Sequence, residues 1–336
     1  MKVFVIGDPH FKCSNIADMD ILSDRILKRA EALEPDFIVI MGDVLDRHAN
    51  LHMTPLNRAI DLFDRLKKIS PLYVLIGNHD RKNNQDFLTD EHPFTAVEKW
   101  DSSITIVHKP ISVLINNERF TFVPYVPPGR FFEALDYTPQ WKDSRCIFAH
   151  QEFYGSANGN IISIEGDRWD SSYPLCISGH IHTYSFLQKN LIYVGTPYQN
   201  NFGEKGDKTV SLFHFDENDF HEDRIDLGMP KKLVHTINSE SVKDYHLSFG
   251  DHHKVMIECT PTEWKVIQKH PNVLQWKKAG ALVLPHHIFD RELKTCMESK
   301  QPTKKNFFQI LKYKLESDNK LLTLLQEEIG TLDVSE

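Results

Sequence analysis

Five short apolar runs in this sequence each stop at a polar group able to bind a metal ion or a phosphate. The runs at 2–8 (KVFVIGD), 36–43 (DFIVIMGD) and 71–77 (PLYVLIG) carry β-branched residues and end on Gly, Asp or Asn, the pattern of strands bounded by turns. Two more, at 145–150 (RCIFAH) and 174–179 (PLCISG), end on or just before a histidine. The polar groups at or after these ends are Asp8 with His10; Asp43 with Asp46 and Arg47; Asn78 with His79 and Asp80; His150; and His180 with His182. In open α/β sheets, loops beyond the carboxyl ends of strands converge on one crevice, so residues this far apart in sequence can meet.

Each cluster alone has an ordinary explanation. Asp8, or Gly42 with Asp43, or Gly77 with Asn78, could be plain turn chemistry, because Asp and Asn bond their own backbone in turns. In a chain with 18 histidines, His150 could be a satisfied structural side chain and the His180–His182 pair a coincidence. Five independent strand ends that all carry oxygen or nitrogen ligands are not explained that way. Residues two apart on extended backbone point to the same side, so Asp8 with His10 and His180 with His182 can chelate.

Between the first three runs lie helical patterns (Ile21, Ile26 and Leu33; then Leu56, Ile60, Phe63 and Leu66), which give a βαβαβ opening. Alternating strands follow over 104–125 around a hairpin turn at Asn116–Asn117, with further strands at 191–195 and 209–215. A parallel half joined to a strand-rich half predicts an α/β fold of two packed sheets flanked by helices. After about 228, residues 254–259, 261–269 and 281–284 suggest a small α+β domain without evident chemistry. From 304 onward an apolar stripe from Phe307 to Ile329 recurs at helical spacing. The expected domains are 1–228, 229–295 and a C-terminal helical segment, 300–336.

With 40% hydrophobic and 26% charged residues, the chain is expected to fold rather than stay disordered. Five scattered cysteines without CxxC spacing point to neither a disulfide framework nor a cysteine zinc site. No run nears the ~20 apolar residues that span a bilayer, and the start shows no cleavable signal, so an intracellular, soluble protein without membrane contact is expected. The net charge of −8 leaves no basic footprint for nucleic acid, although bound cations can dominate a carboxylate-rich cleft.

Asp8, His10, Asp43, Asn78, His150, His180 and His182 are too many ligands for one tetrahedral ion but suit two ions that share a carboxylate, for which Asp43 is the natural bridge. Such a pair serves phosphoester hydrolysis. Mixed nitrogen and oxygen ligands accept manganese, iron, zinc or magnesium.

The series DPH, GDVLDR, GNHD, FAHQEF and GHIH resembles the calcineurin-like metallophosphoesterase superfamily over about the first 200 residues. The resemblance implies an α/β/β/α metallophosphoesterase sandwich, with Asp8, His10, Asp43 and His182 on one metal and Asp43, Asn78, His150 and His180 on the other. It also implies manganese, and His79 as proton donor or transition-state stabiliser. Within the superfamily, LIYVGTPYQNNFGEKGDKTVSLFHFDEN is similar to the SbcD-type DNA repair exonucleases and the T-even phage recombination nuclease subunit. That likeness implies a DNA exonuclease, and possibly endonuclease, with a small α+β capping domain that binds DNA. It further implies a second copy of the chain, C-terminal helices that grip an SbcC-like coiled-coil ATPase, and a place in cytoplasm or nucleoid with a possible phage or virus origin. Asp46 stands where archaeal and eukaryotic relatives carry histidine, and is expected to orient or charge His79. Two other readings stay open: a metallophosphoesterase for a phosphoprotein or cyclic nucleotide, and a non-catalytic subunit that organises an ATPase.

Overall fold

The computed structural model describes residues 1–287 apart from Ala49, Asn160 and Asn218; the expected helical segment at 300–336 lies outside the described residues. Strands β1 (Lys2–Ile6), β2 (Phe37–Ile40), β3 (Leu72–Leu75), β4 (Ile104–Val107), β5 (Ile111–Ile115), β6 (Glu118–Val123) and β7 (Cys146–Ala149) come first. They are followed by β8 (Ala157–Asn158), β9 (Ile161–Ile162), β10 (Leu175–Ser178), β11 (Ser185–Gln188), β12 (Leu191–Tyr193), β13 (Val210–Phe215) and β14 (Phe220–Ile225). One six-stranded sheet runs β14-β13-β1-β2-β3-β4 and the other β11-β12-β10-β7-β6-β5.

β1, β2, β3 and β4 are mutually parallel, as are β6, β7, β10 and β12. Strands buried on both faces need apolar side chains throughout, which is why they read as continuous runs. Alternate residues divide between two cores. Val3, Val5, Phe37 and Val39 meet Phe120, Phe122, Phe148 and Ile177 between the sheets. Phe4, Ile6, Ile38 and Ile40 pack outward against helices α1 (Ile16–Leu33) and α2 (Met53–Leu66). On the far face of the second sheet, Ile147, Ala149, Cys176 and Tyr193 pack with Phe131, Trp141 and Trp169. The result is the expected two-sheet α/β sandwich with helices outside. Asn116 and Asn117 take φ of 51° and 67° and close the β5–β6 hairpin, the turn their residue type favours.

Two further helices, α3 (Thr95–Trp100) and α4 (Phe131–Leu135), complete this part of the chain. Beyond it come β15 (Lys232–Asn238), β16 (His252–Cys259), α5 (Pro261–Ile267), α6 (Pro271–Lys278) and β17 (Leu282–His287), with the strands forming a three-stranded sheet. The chain divides into two compact units: Met1–Val234 with Leu247–Lys254, and a second whose described residues are His235–His246 and Val255–His287. All nine expected site residues fall in the first unit.

Candidate metal centre

Each strand that ends beneath the site hands the chain to a tight turn. β1 leads through Gly7 to Asp8, β2 through Met41 and Gly42 to Asp43, β3 through Gly77 to Asn78, β7 directly to His150, and β10 through Gly179 to His180. The turns pack too closely for side chains: a Cβ on Gly77 would overlap the Asp43 backbone nitrogen, and one on Gly179 would meet Asp8 Oδ1 at 2.6 Å. His10, Asp43 and His180 sit in the left-handed region at φ 45°, 47° and 75°. For non-glycine residues this costs on the order of 1–3 kcal/mol each and persists only where surrounding structure enforces it. Strain is thus concentrated at the expected ligands.

The turns gather those ligands into two adjoining cages. In the first, Asp8, His10 and His182 bring ligand atoms within 4.8 Å of one another. His10 Nε2 lies 3.0 Å from His182 Nε2 and 3.8 Å from Asp43 Oδ2. In the second, Asp43, His150 and His180 do the same around Asn78 Oδ1, which is 3.1 Å from His150 Nε2 and 2.9 Å from His180 Nδ1. Asp43 reaches both cages, with Oδ1 3.4 Å from His150 Nε2. All seven expected ligands are brought together.

The proton and lone-pair inventory fits cations in both cages. His150 Nδ1 faces the Met41 carbonyl at 2.8 Å and must donate to it, so the neutral ring aims its Nε2 lone pair at two oxygens, Asn78 Oδ1 and Asp43 Oδ1. His182 Nδ1 likewise donates to Glu204 Oε1 at 2.9 Å, which leaves its Nε2 lone pair facing His10. Asp8 Oδ1 is buried without a hydrogen-bond partner. Lone pairs turned on one another in a buried space call for positive charge between them.

Titration follows the same logic. Burial pushes His10 and His180 down to about 3, so both rings stay neutral and able to ligate. Burial would lower His150 too, but the carboxylates of Asp43 and Asp8 outweigh it and lift the ring to about 9. Burial raises the Asp8 carboxyl to about 6, partly countered by His150. Asp43 also feels burial, yet His150, His10 and His79 around it hold it well below the ordinary carboxylate range. A proton at His150 stands in for the charge that a cation would supply.

The family model for calcineurin-like phosphoesterases matches residues 1–184, the stretch that builds most of both cages. The chain is a calcineurin-like phosphoesterase. It is 46% identical over 223 residues to "Putative phosphoesterase 244L" of Invertebrate iridescent virus 6, covering 66% of this chain and 78% of that one. It is 40% identical over 252 residues to "Putative phosphoesterase 078R" of Invertebrate iridescent virus 3, covering 74% and 72%. Among solved structures, TT1561 of Thermus thermophilus aligns with 66% of this chain and 98% of its own at 14% identity and a TM-score of 0.43, too loosely to inform function. Members of this family bind two divalent metals, and the two cages supply the ligand groups. No helix among the described residues is long and apolar enough to cross a membrane.

Five further residues shape the phosphoesterase site. His79 stands at its mouth, its side chain one-third exposed, with Nε2 4.0 Å from Asp43 Oδ2. Its Nδ1 is 2.8 Å from the backbone carbonyl of Asp46, which fixes the ring. Asp46 therefore contacts His79 through its main chain, while its carboxylate pairs with Lys12 at 3.1 Å and lies 3.9 Å from His10 Nδ1. His48 stacks on His79 with centroids 4.7 Å apart, a contact the sequence did not indicate. Asp80, noted in sequence only as part of a cluster, accepts N–H bonds from Val44, Leu45 and Gly77 and so clamps the Asp43 turn to the Asn78 turn. Glu204, unsuspected from sequence, holds His182 and is itself held by Lys208 at 2.8 Å and the Asn200 N–H at 3.1 Å. Arg47, next along the chain from Asp46, is exposed.

Proposed function

We propose that this phosphoesterase is a two-metal DNA nuclease that works as a pair of copies beside an SbcC-like coiled-coil ATPase in recombination and double-strand-break repair. The observation that carries the reading is the position of Glu204. It belongs to the segment after GHIH, whose sequence resembles the SbcD-type nucleases, and it grips the metal-ligand candidate His182. A contact between that segment and a metal-ligand candidate supports a nuclease reading of the site.

Two divalent cations, manganese by resemblance, would be held by Asp8, His10, Asp43 and His182 and by Asp43, Asn78, His150 and His180; bound there they neutralise phosphate charge and acidify water. The protein's own part is positional. The strained turns fix ligand directions before substrate arrives, and sandwich packing buries Asp8, Asp43 and His150 at the cage floor. His79 offers Nε2 to the leaving oxygen. With Nδ1–H given to the Asp46 carbonyl, Nε2 is the ring nitrogen left to act on that oxygen, 4.0 Å from Asp43 Oδ2. Lys12 and Arg47 border a cleft with Phe11, Leu45 and Asp46, next to His79, and could follow a nucleic-acid backbone.

Degradation of end-labelled linear double-stranded DNA with manganese, compared between wild type and His79→Ala, tests the proposal. Cleavage lost in the variant supports it. The net charge of −8 favours one other reading, a small phosphodiester or phosphoprotein as substrate. Turnover of bis-p-nitrophenyl phosphate with DNA left intact, even with a coiled-coil ATPase added, would establish that reading instead.

A further inference from the structure

A second group of metal-ligating side chains gathers around α3 and the end of β4. His92 precedes α3, Glu98 lies on α3, and His108 follows β4. Their ligand atoms lie within 4.8 Å of one another. Glu98 spans the two rings, with Oε2 3.6 Å from His92 Nε2 and Oε1 3.3 Å from His108 Nδ1. The His92 side chain is wholly buried, and its Nε2 has no hydrogen-bond partner; nor has His108 Nδ1. The rings lie side by side, 5.2 Å between centroids and 27° apart in plane.

We propose that His92, Glu98 and His108 form a structural zinc site separate from the hydrolytic centre. Bonds of about 2.1 Å in a tetrahedron place ligand atoms about 3.4 Å apart, and the Glu98 carboxylate already comes that near each ring, through Oε2 to His92 and Oε1 to His108. Two imidazoles with one carboxylate are a borderline set that suits zinc. His108 would ligate through Nδ1, and its Nε2 then faces Asp90 Oδ1 at 3.4 Å, a carboxylate that Lys109 holds at 2.8 Å. A carboxylate behind a ligating histidine is the usual way to fix its tautomer. One contact opposes binding: His92 Nδ1 accepts the Phe94 N–H at 3.3 Å, and ligation through Nε2 gives this up. It is a single long neutral bond, given up in exchange for a metal ligand. Bound zinc would tie the short helix α3, which buries no side chain fully, to the end of β4.

The test counts zinc bound per full-length chain after chelation, reloading with zinc and gel filtration. Glu98→Ala, on a half-exposed residue, and His108→Phe, which keeps a stacking ring, should each hold one equivalent less than wild type. Manganese-dependent hydrolysis of bis-p-nitrophenyl phosphate should stay within twofold. Zinc should also raise the melting temperature of Asp43→Asn protein but not of the Asp43→Asn, His108→Phe double variant. Equal zinc content in wild type and both single variants would overturn the site, and so would equal zinc-induced stabilisation of the Asp43→Asn and double-variant proteins.

Discussion

The two metal cages are neighbours with the same kinds of ligand, yet they are held in different ways. The cage of Asp43, Asn78, His150 and His180 is anchored at the ends of the strands: the Met41 carbonyl fixes His150, and the buried Asp80 carboxylate accepts N–H bonds from Val44, Leu45 and Gly77 and so clamps the turns that carry Asp43 and Asn78. The cage of Asp8, His10 and His182 depends on a side chain from a late loop, since His182 is oriented by Glu204 and is about one-third exposed, whereas His150 is fully buried. A ligand fixed by backbone is as rigid as the sheet beneath it; one fixed by a loop carboxylate moves with the loop. The difference predicts a firmly held metal position beside a more adjustable one, the latter tied to the loop that carries Glu204.

The largest effect is expected where the cages join. Asp43→Asn should remove charge from both and lower phosphodiester hydrolysis at least about a thousandfold, because several kcal/mol of transition-state stabilisation go with the metals. Metal analysis should show both equivalents weakened; loss from one cage alone would deny Asp43 its bridging place. His79→Ala should follow, with turnover down ~10²–10⁴-fold at unchanged metal content. Loss of both metals in that variant would make His79 a structural residue.

The asymmetry itself is sharpened by Glu204→Ala, for which one metal should bind ~10–100-fold more weakly while the other keeps its affinity, with Glu204→Gln intermediate. Calorimetric titration that shows both affinities falling together would break the comparison. The smallest effect should come from Asp46→Asn. Its carboxylate forms a part-exposed pair with Lys12, worth about 1 kcal/mol or less, and the carbonyl that orients His79 survives the change. A loss in turnover above about a hundredfold would give the carboxylate the orienting role.

How much of this could be read in the sequence depended on which force held each piece. Strands buried on both faces, such as Phe37–Ile40 and Cys146–Ala149, announce themselves as apolar runs, and the polar residues just beyond them stand out by contrast. Edge strands do not: Phe220–Ile225 reads FHEDRI because its side chains are largely solvated. Helix α6 escaped notice because it buries only Val273 and Trp276, too few to define a period. Glu204 was invisible because its meaning comes from a contact 22 residues back, across two intervening strands. The contact of Asp46 with His79 runs through its main chain, and a carbonyl contact has no residue type to betray it.

If hydrolysis needs two cations held by these seven residues, activity must follow metal content. Protein stripped by chelation and reloaded with manganese should recover hydrolysis of bis-p-nitrophenyl phosphate only as two equivalents bind, and Asp43→Asn protein should not recover. Full activity in stripped protein, or recovery by Asp43→Asn to the wild-type level, would contradict the account.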